Sequence, residues 1–208
     1  VGEIIILDTK EKKVLPYIIT NCWPSNGGVS WLPDGSGFIY IHYPVIDHKS
    51  DLFLKDMISV VYKIGDNPTK LHPILSKTIH PELDLKQEDF PIVNINTNNT
   101  NYLIGRIGGA ANFSDVYYTN FSELYNKHIN WKPLYKKEDK IVDYTIVQNN
   151  LYYISSKNTK NNILAYTSLQ NPDFINSKVL IKEIENEVIK TVNSTKDGLY
   201  ITTTKNGV

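Results

Sequence analysis

Four short clusters of turn-forming residues punctuate this chain, each standing between two runs rich in β-branched and aromatic side chains. They centre on Asp34-Gly35, Asn98-Asn99, Asn149-Asn150 and Asp197-Gly198, about 64, 51 and 48 residues apart. The first is the fullest. In Pro33-Asp34-Gly35-Ser36-Gly37 the proline sets φ, the aspartate bonds its own backbone two residues on, and the glycines permit positive φ. Val29 and Trp31 share one face before this turn, and Phe38 and Tyr40 share one after it. Gly27 to Ile41 therefore reads as a β-hairpin.

The other segments repeat that unit. Ile4 to Asp8 reads as a buried strand and Val14 to Ile19 as its partner, with Pro16 marking an edge. Beyond the hairpin, which stops at Pro44, Asp51 to Met57 has room for one helical turn. Val60–Ile64 and Leu71–Leu75 are the next strands, followed by a charged connector from Ser76 to Glu88. A second cycle holds Ile92–Ile95, Tyr102–Gly105, Val116–Tyr118 and Trp131–Tyr135. A third holds Val142–Ile146, Leu151–Ile154, Ile163–Tyr166 and Lys178–Ile181. A fourth opens with Val188–Val192 and Leu199–Thr202.

Four strands per cycle, recurring every 40 to 50 residues or so, is the signature of propeller blades. A lone four-stranded sheet has two faces to cover and two edges to protect, and stacking around an axis covers the faces. A β-sandwich would not keep the four-strand beat. The expected fold is all-β, a β-propeller of four-stranded antiparallel blades: full blades over 28–78, 91–136 and 141–182, with partial ones over 1–22 and 188–208. Three full blades and two halves read as an open arc of a larger ring. Open blade edges at both ends are expected to make such a piece self-associate or leave it marginally stable.

Composition narrows the function. Acidic and basic residues balance at 22 each, so the formal charge is zero. That argues against a nucleic-acid groove or an electrostatic membrane anchor, both of which need a basic excess. No apolar run approaches the roughly 20 residues of a membrane span. Val1-Gly2-Glu3 lacks the charged start of a signal peptide, and the ends look cut from something longer. Cys22 is the single cysteine, which excludes an internal disulfide and a cysteine-rich zinc site. Asn98, Asn112, Asn120 and Asn193 begin glycosylation sequons, which matter only in a eukaryotic secreted protein. The pairs Lys12-Lys13 and Lys136-Lys137 fall beside turns and read as solvated.

No catalytic constellation emerges. Gly28-Val29-Ser30-Trp31-Leu32 is the nearest approach to a nucleophile elbow, but it lacks the second glycine and lies within a strand. Ser36 belongs to its turn. His42, His48, His72, His80 and His128 show no metal-ligand spacing and read as surface or turn-proximal residues. Asp84, Glu88 and Asp89 read as a solvated loop. Gly105-Arg106-Ile107-Gly108-Gly109 follows a strand with no helix after it, so it is a strand end rather than a phosphate cradle. Trp23, Trp31 and Trp131 read as blade core and inter-blade wedges rather than a carbohydrate platform. No residue is assigned to catalysis, substrate binding, a cofactor or a metal.

Ser30 to Tyr40, with Trp31-Leu32-Pro33-Asp34-Gly35-Ser36-Gly37-Phe38 at its heart, resembles the W-x-P-D-G-x-x-[FI] motif of WD-like propellers. Tyr40-Ile41-His42-Tyr43-Pro44, then Val60-Val61-Tyr62-Lys63-Ile64-Gly65-Asp66, resembles the F-Y-x-x-Y-P … V-Y-Y-H-K-L-G-T succession in the propeller of the prolyl oligopeptidase family. Trp131-Lys132-Pro133-Leu134 resembles that family's W-K-P-L strand. The Tyr144–Ile154 hairpin, the Ser156–Tyr166 connection and the Asn171-Pro172 turn fall in the family's order.

The resemblance implies a seven-bladed propeller joined to an α/β-hydrolase domain whose Ser, Asp and His cleave peptides after proline. The propeller then serves as lid and size filter, admitting short peptides. This chain contains no hydrolase segment, so it is no enzyme by itself and the implied serine-type oligopeptidase is the parent polypeptide. Its partners would be the hydrolase domain of that polypeptide and short peptide substrates. Where the family has a basic residue in an N-Y-[KR]-L strand, this chain has Asn161-Asn162-Ile163-Leu164. Ile163 at that place argues against direct substrate contact from this blade, and with it against strict proline specificity. The family occurs in cytoplasm and in periplasm, and the sequence leaves both open. The competing reading is a stand-alone binding propeller without peptidase activity.

Overall fold

The computed structural model describes residues 2–23, 25, 27–96 and 101–206. Among them the regular structure is strand, with 3₁₀ turns at Pro81–Leu83, Phe121–Glu123 and Lys137–Asp139 and no α-helix. Among the described residues no helix is long and apolar enough to cross a membrane. The all-β expectation holds.

The first sheet contains β1 (Gly2–Asp8), β2 (Lys13–Cys22), β3 (Ser30–Trp31), β4 (Gly37–His42), β5 (Ile58–Lys63) and β6 (His72–Leu75). Its order is β1-β2-β4-β5-β6, with β3 also paired to β4. The hairpin expected between Val29 and Tyr40 forms through Ser30↔Ile39 and Trp31↔Phe38. Its turn closes as the residue types require. Asp34 Oδ1 accepts the N–H and the hydroxyl of Ser36 at 2.9 and 2.7 Å. Those hydrogen bonds hold its carboxyl below the usual carboxylate range. Gly35 takes φ +70°, the left-handed region where a Cβ is costly.

Two further sheets have four strands each, all antiparallel. One runs β10-β9-β8-β7, built from β7 (Phe90–Ile95), β8 (Tyr102–Gly108), β9 (Asp115–Asn120) and β10 (Lys132–Tyr135). The other runs in chain order through β11 (Ile141–Val147), β12 (Asn150–Ser155), β13 (Ile163–Ser168) and β14 (Lys178–Ile181). A final pair joins β15 (Glu187–Ser194) to β16 (Leu199–Lys205). The expected turn at Asn98-Asn99 lies outside the described residues.

Some local expectations are corrected. The second strand runs three residues beyond Ile19, because Cys22 pairs with both Gly2 and His42. Pro16 sits in the register break between the Ile5↔Ile18 and Leu7↔Val14 pairs, where its missing N–H costs no ladder bond. Asp51 to Met57 forms no helix. Successive four-residue turns, closed by the N–H groups of Ser50, Phe53 and Lys55, carry the chain instead. The first strand is buried on one side only: Ile6 is in the core, whereas Ile5 and Leu7 are each 56% exposed. Their cross-strand partners Ile18 and Val14 are exposed on the same face.

The chain divides into two compact units: Val1–Ile95 with Asn101–Ala111 and Tyr118–Trp131, and Asn96–Thr100 with Asn112–Tyr117 and Lys132–Val208. In the first, one core gathers Ile6, Ile19 and Cys22 from the β1–β2 hairpin with Phe38, Tyr40, Val60 and Tyr62 from β4 and β5. A second joins Ile41, Tyr43 and Met57 to Ile92 of β7. In the other unit, Ile154 and Leu164 of β12 and β13 meet Ile189 and Val192 of β15. Apolar contact between consecutive strand groups thus recurs in both units.

Cys22 lies fully inside the first core, with Sγ 3.0 Å from the Gly2 carbonyl. Burial pushes its thiol up from 9.0 to about 11. A thiol that keeps its proton longer in the fold than in the unfolded chain stabilises fully below about pH 9, and that contribution is lost as pH rises towards 11. The expected outcome is that peptide-level mass spectrometry finds Cys22 unlabelled by iodoacetamide at pH 8 until urea unfolds the protein. The unfolding midpoint should also fall less steeply above pH 9 in Cys22→Ala than in the parent.

Candidate functional site

An edge strand leaves alternate N–H and C=O groups without a ladder partner. β7 is such a strand, and residues 91, 93 and 95 carry its free-side groups. Ser59 of β5 answers two of them: its Oγ donates to the Pro91 carbonyl at 2.8 Å and accepts the Val93 N–H at 3.1 Å. Ser30 Oγ accepts the Ile95 N–H at 3.0 Å. The one serine near a nucleophile motif is thus committed to a neighbouring backbone.

The other unit solves the same problem with other side chains. The Asp143 carboxylate of β11 accepts the Val192 N–H at 2.8 Å. The Thr145 and Ser194 hydroxyls meet at 3.0 Å. Asn162 donates its side-chain N–H to the Ile189 carbonyl at 2.7 Å, and the Ile189 N–H donates to the Asn161 carbonyl at 3.1 Å. Asn161 and Asn162, in the stretch that stands where the family has its N-Y-[KR]-L strand, are committed to the backbone of the following segment. Ile163 begins β13 opposite Ser155, half-buried.

The remaining sequence candidates resolve individually. Gly105 lies inside β8, and its glycine identity is a matter of packing. A Cβ there would sit 2.9 Å from Leu75 Cδ2 and 3.1 Å from Trp131 Cζ3. Trp131 is the wedge expected of it, buried, with its indole N–H donated to the Ile74 carbonyl at 3.1 Å. Trp23 stacks on Tyr43 at 5.4 Å, but Trp31 is half-exposed against Phe38 rather than in the core. Asp84, Glu88 and Asp89 stay in the connector, where Asp89 accepts the Lys86 N–H. Lys136 is not a freely solvated turn residue. Its ammonium donates to Tyr117 Oη at 2.6 Å and Asp115 Oδ2 at 3.1 Å. Burial works to lower that ammonium, but the hydrogen bonds to Tyr117 and Asp115 outweigh it and raise the pKa.

The histidines depart furthest from expectation. His48 and His72 are exposed as anticipated, but His42 is half-buried and His80 is drawn into the interior. Burial lowers the pKa of both. His80 and His128, with rings 5.3 Å apart, come together with Glu82. One ring nitrogen from each histidine and one Glu82 oxygen lie within 4.8 Å of one another. No spacing in the sequence announces this group, because His128 reaches it from a loop 48 residues beyond His80. The two histidines border a cavity of about 260 Å³ that His72, Ile79, Tyr125 and Asn126 also line.

Antiparallel four-stranded sheets, apolar contact between successive strand groups and no catalytic constellation among the described residues define a β-propeller scaffold. The chain belongs to the prolyl oligopeptidase family, whose model for the N-terminal β-propeller domain matches residues 1–208. No curated protein matches it. Among solved structures, one of two prolyl endopeptidases studied for inter-domain dynamics superposes at a TM-score of 0.76 and 16% identity, covering 98% of this chain and 28% of that one. Prolyl oligopeptidase B from Galerina marginata, bound to a 35mer hydrolysis and macrocyclization substrate, gives 0.73 and 14%, with 94% and 26% covered. A post-proline cleaving enzyme from Rickettsia typhi gives 0.61 and 14%, with 96% and 30% covered. The chain spans between a quarter and a third of the length of these structures.

The side-chain clamps on backbone groups are expected to be energetically unequal to their conservative replacements. Asp143→Ala strips the Val192 N–H of its acceptor and should cost about 1–3 kcal/mol, while Asp143→Asn keeps an acceptor and should cost less. Urea unfolding together with hydrogen exchange at the Val192 amide measures both.

Proposed function

We propose that this chain is the non-catalytic propeller part of a prolyl oligopeptidase-like serine peptidase. It acts as lid and size filter over an α/β-hydrolase domain of the same polypeptide, which supplies the Ser, Asp and His. The observation that carries this reading is the match of the family's N-terminal propeller over the whole of residues 1–208. The much greater length of the similar structures supports it, since further polypeptide in those proteins accompanies the matched part. The exposed apolar face of Ile5, Leu7, Val14 and Ile18 supports it too. That is the kind of surface a neighbouring blade of a larger ring would cover.

In this reading residues 28–78, 91–136 and 141–182 are blades, and filtering is mechanical. Peptides pass where the assembly leaves room, while folded chains are excluded by seams that do not part. The Ser59 hydroxyl, holding two backbone groups of β7, is one of the contacts that resist parting. The substrate class is short peptides; the 35mer bound by one relative indicates a useful upper length to test.

The test is an assay of the full polypeptide on prolyl peptides graded from a few residues to about that length, with a folded protein as control. Cleavage of the peptides but not the folded protein is expected. Ser59→Ala should raise kcat/KM for the longest peptides several-fold and leave the shortest unchanged. Hydrolysis of no prolyl peptide would favour the binding-scaffold reading. Equal cleavage of peptides and folded protein would remove the filter.

A further inference from the structure

We propose that His80, Glu82 and His128 form a binding site for a divalent transition metal of the zinc type, tying the connector between β6 and β7 to the loop between β9 and β10. Two imidazoles and a carboxylate are a donor set suited to such an ion, which takes nitrogen and oxygen ligands and fills a remaining position with water. The three groups already converge, with His128 Nε2 and Glu82 Oε1 3.7 Å apart. Bonds of about 2.0–2.1 Å to a tetrahedral ion would put two ligand atoms about 3.3 Å apart, so little closure is needed at that pair. Glu82 and His128 are both substantially exposed and free to make the rest of the adjustment.

His80 supplies an independent observation. The residue is 1% exposed, and its Nε2 lies 3.2 Å from the Ile129 carbonyl. A carbonyl oxygen only accepts, so in the neutral ring Nε2 carries the proton and Nδ1 is left as a lone pair. That Nδ1 is buried and has no hydrogen-bond partner. A buried acceptor without a donor is costly, and an imidazole with one N–H on a backbone carbonyl and the other nitrogen free is how metal-ligating histidines are held.

The backbone around the cluster is braced before any ion arrives. The His80 N–H donates to the Ser76 carbonyl, and the Leu83 N–H donates to the His80 carbonyl. On the facing loop the Glu123 carboxylate accepts the Asn130 N–H at 2.9 Å, while Leu124 and Ile129 are buried. A bound ion would therefore cross-link two segments that are each already anchored. An ordinary exposed His128–Glu82 ion pair explains neither the orphan nitrogen of His80 nor the gathering of that buried residue with the other two.

The test is calorimetric titration of Zn²⁺ into the chelator-treated full polypeptide, alongside the double variant E82Q/H128Q. Both substitutions fall on exposed side chains, so the fold should be retained; circular dichroism checks this. The expected result is one equivalent of Zn²⁺ that is lost, or weakened at least about tenfold, in the double variant. Co²⁺ in place of Zn²⁺ should give the intense visible absorption of a four-coordinate site, absent from the variant. A rise in melting temperature with added Zn²⁺ should likewise disappear in the variant. Absence of uptake by the parent protein, or uptake and Co²⁺ absorption unchanged in the double variant, would overturn the proposal. Peptidase activity is not among these readouts, so the result stands whatever the outcome for the lid function.

Discussion

A sheet that ends in an edge strand exposes a row of backbone donors and acceptors, and stacking such sheets face to face buries part of that row away from water. The cost of leaving those groups unpaired makes the seam between successive sheets the decisive place in this structure. At β7 the solution is Ser59 and Ser30; at β15 it is Asp143 and Asn162. Short polar side chains suit the task, since each reaches a backbone group on the next strand, and at Ser30, Ser59 and Asp143 the residue's own backbone stays in its strand. Around each clamp lies an apolar cluster that excludes water and so makes the hydrogen bond matter more.

This division of labour explains why the strands were easier to read than their assembly. Turn residues act locally. Asp34 with Ser36, and Asn149-Asn150 between two alternating runs, announce themselves within a few positions because the chemistry closes within a few positions. The apolar run Ile4 to Leu7 is legible as a strand and reads as buried, but which face is covered depends on residues 30 and more positions away in β4 and β5. The length of β2 is hidden from the sequence for the same reason, since Cys22 is held in the strand by Gly2 and His42 rather than by its own neighbours.

The chemistry of the side chains was still less visible. Ser30 and Ser59 look alike in sequence to any other strand serine, and nothing marks them as donors or acceptors for β7. Lys136 lies beside Lys137 in what reads as a solvated turn, yet Asp115 and Tyr117 draw it into a small, partly buried network from the far side of a hairpin. His80 and Glu82 sit two apart on a 3₁₀ turn, a spacing that says nothing until a distant loop brings His128 alongside. Motif spacing reports ligands on a single element, and it is blind where the fold itself supplies the proximity.

The clamps also bear on how far such a protein can drift. Each one grips a backbone N–H or C=O; every amino acid offers the C=O and all but proline the N–H, so the gripped strand is free to exchange most of its side chains. Only the gripping position needs a hydroxyl, carboxylate or amide of the right reach. An architecture held in this way tolerates wholesale turnover of its alphabet, and this chain superposes on a prolyl endopeptidase at a TM-score of 0.76 with five residues in six replaced, at 16% identity.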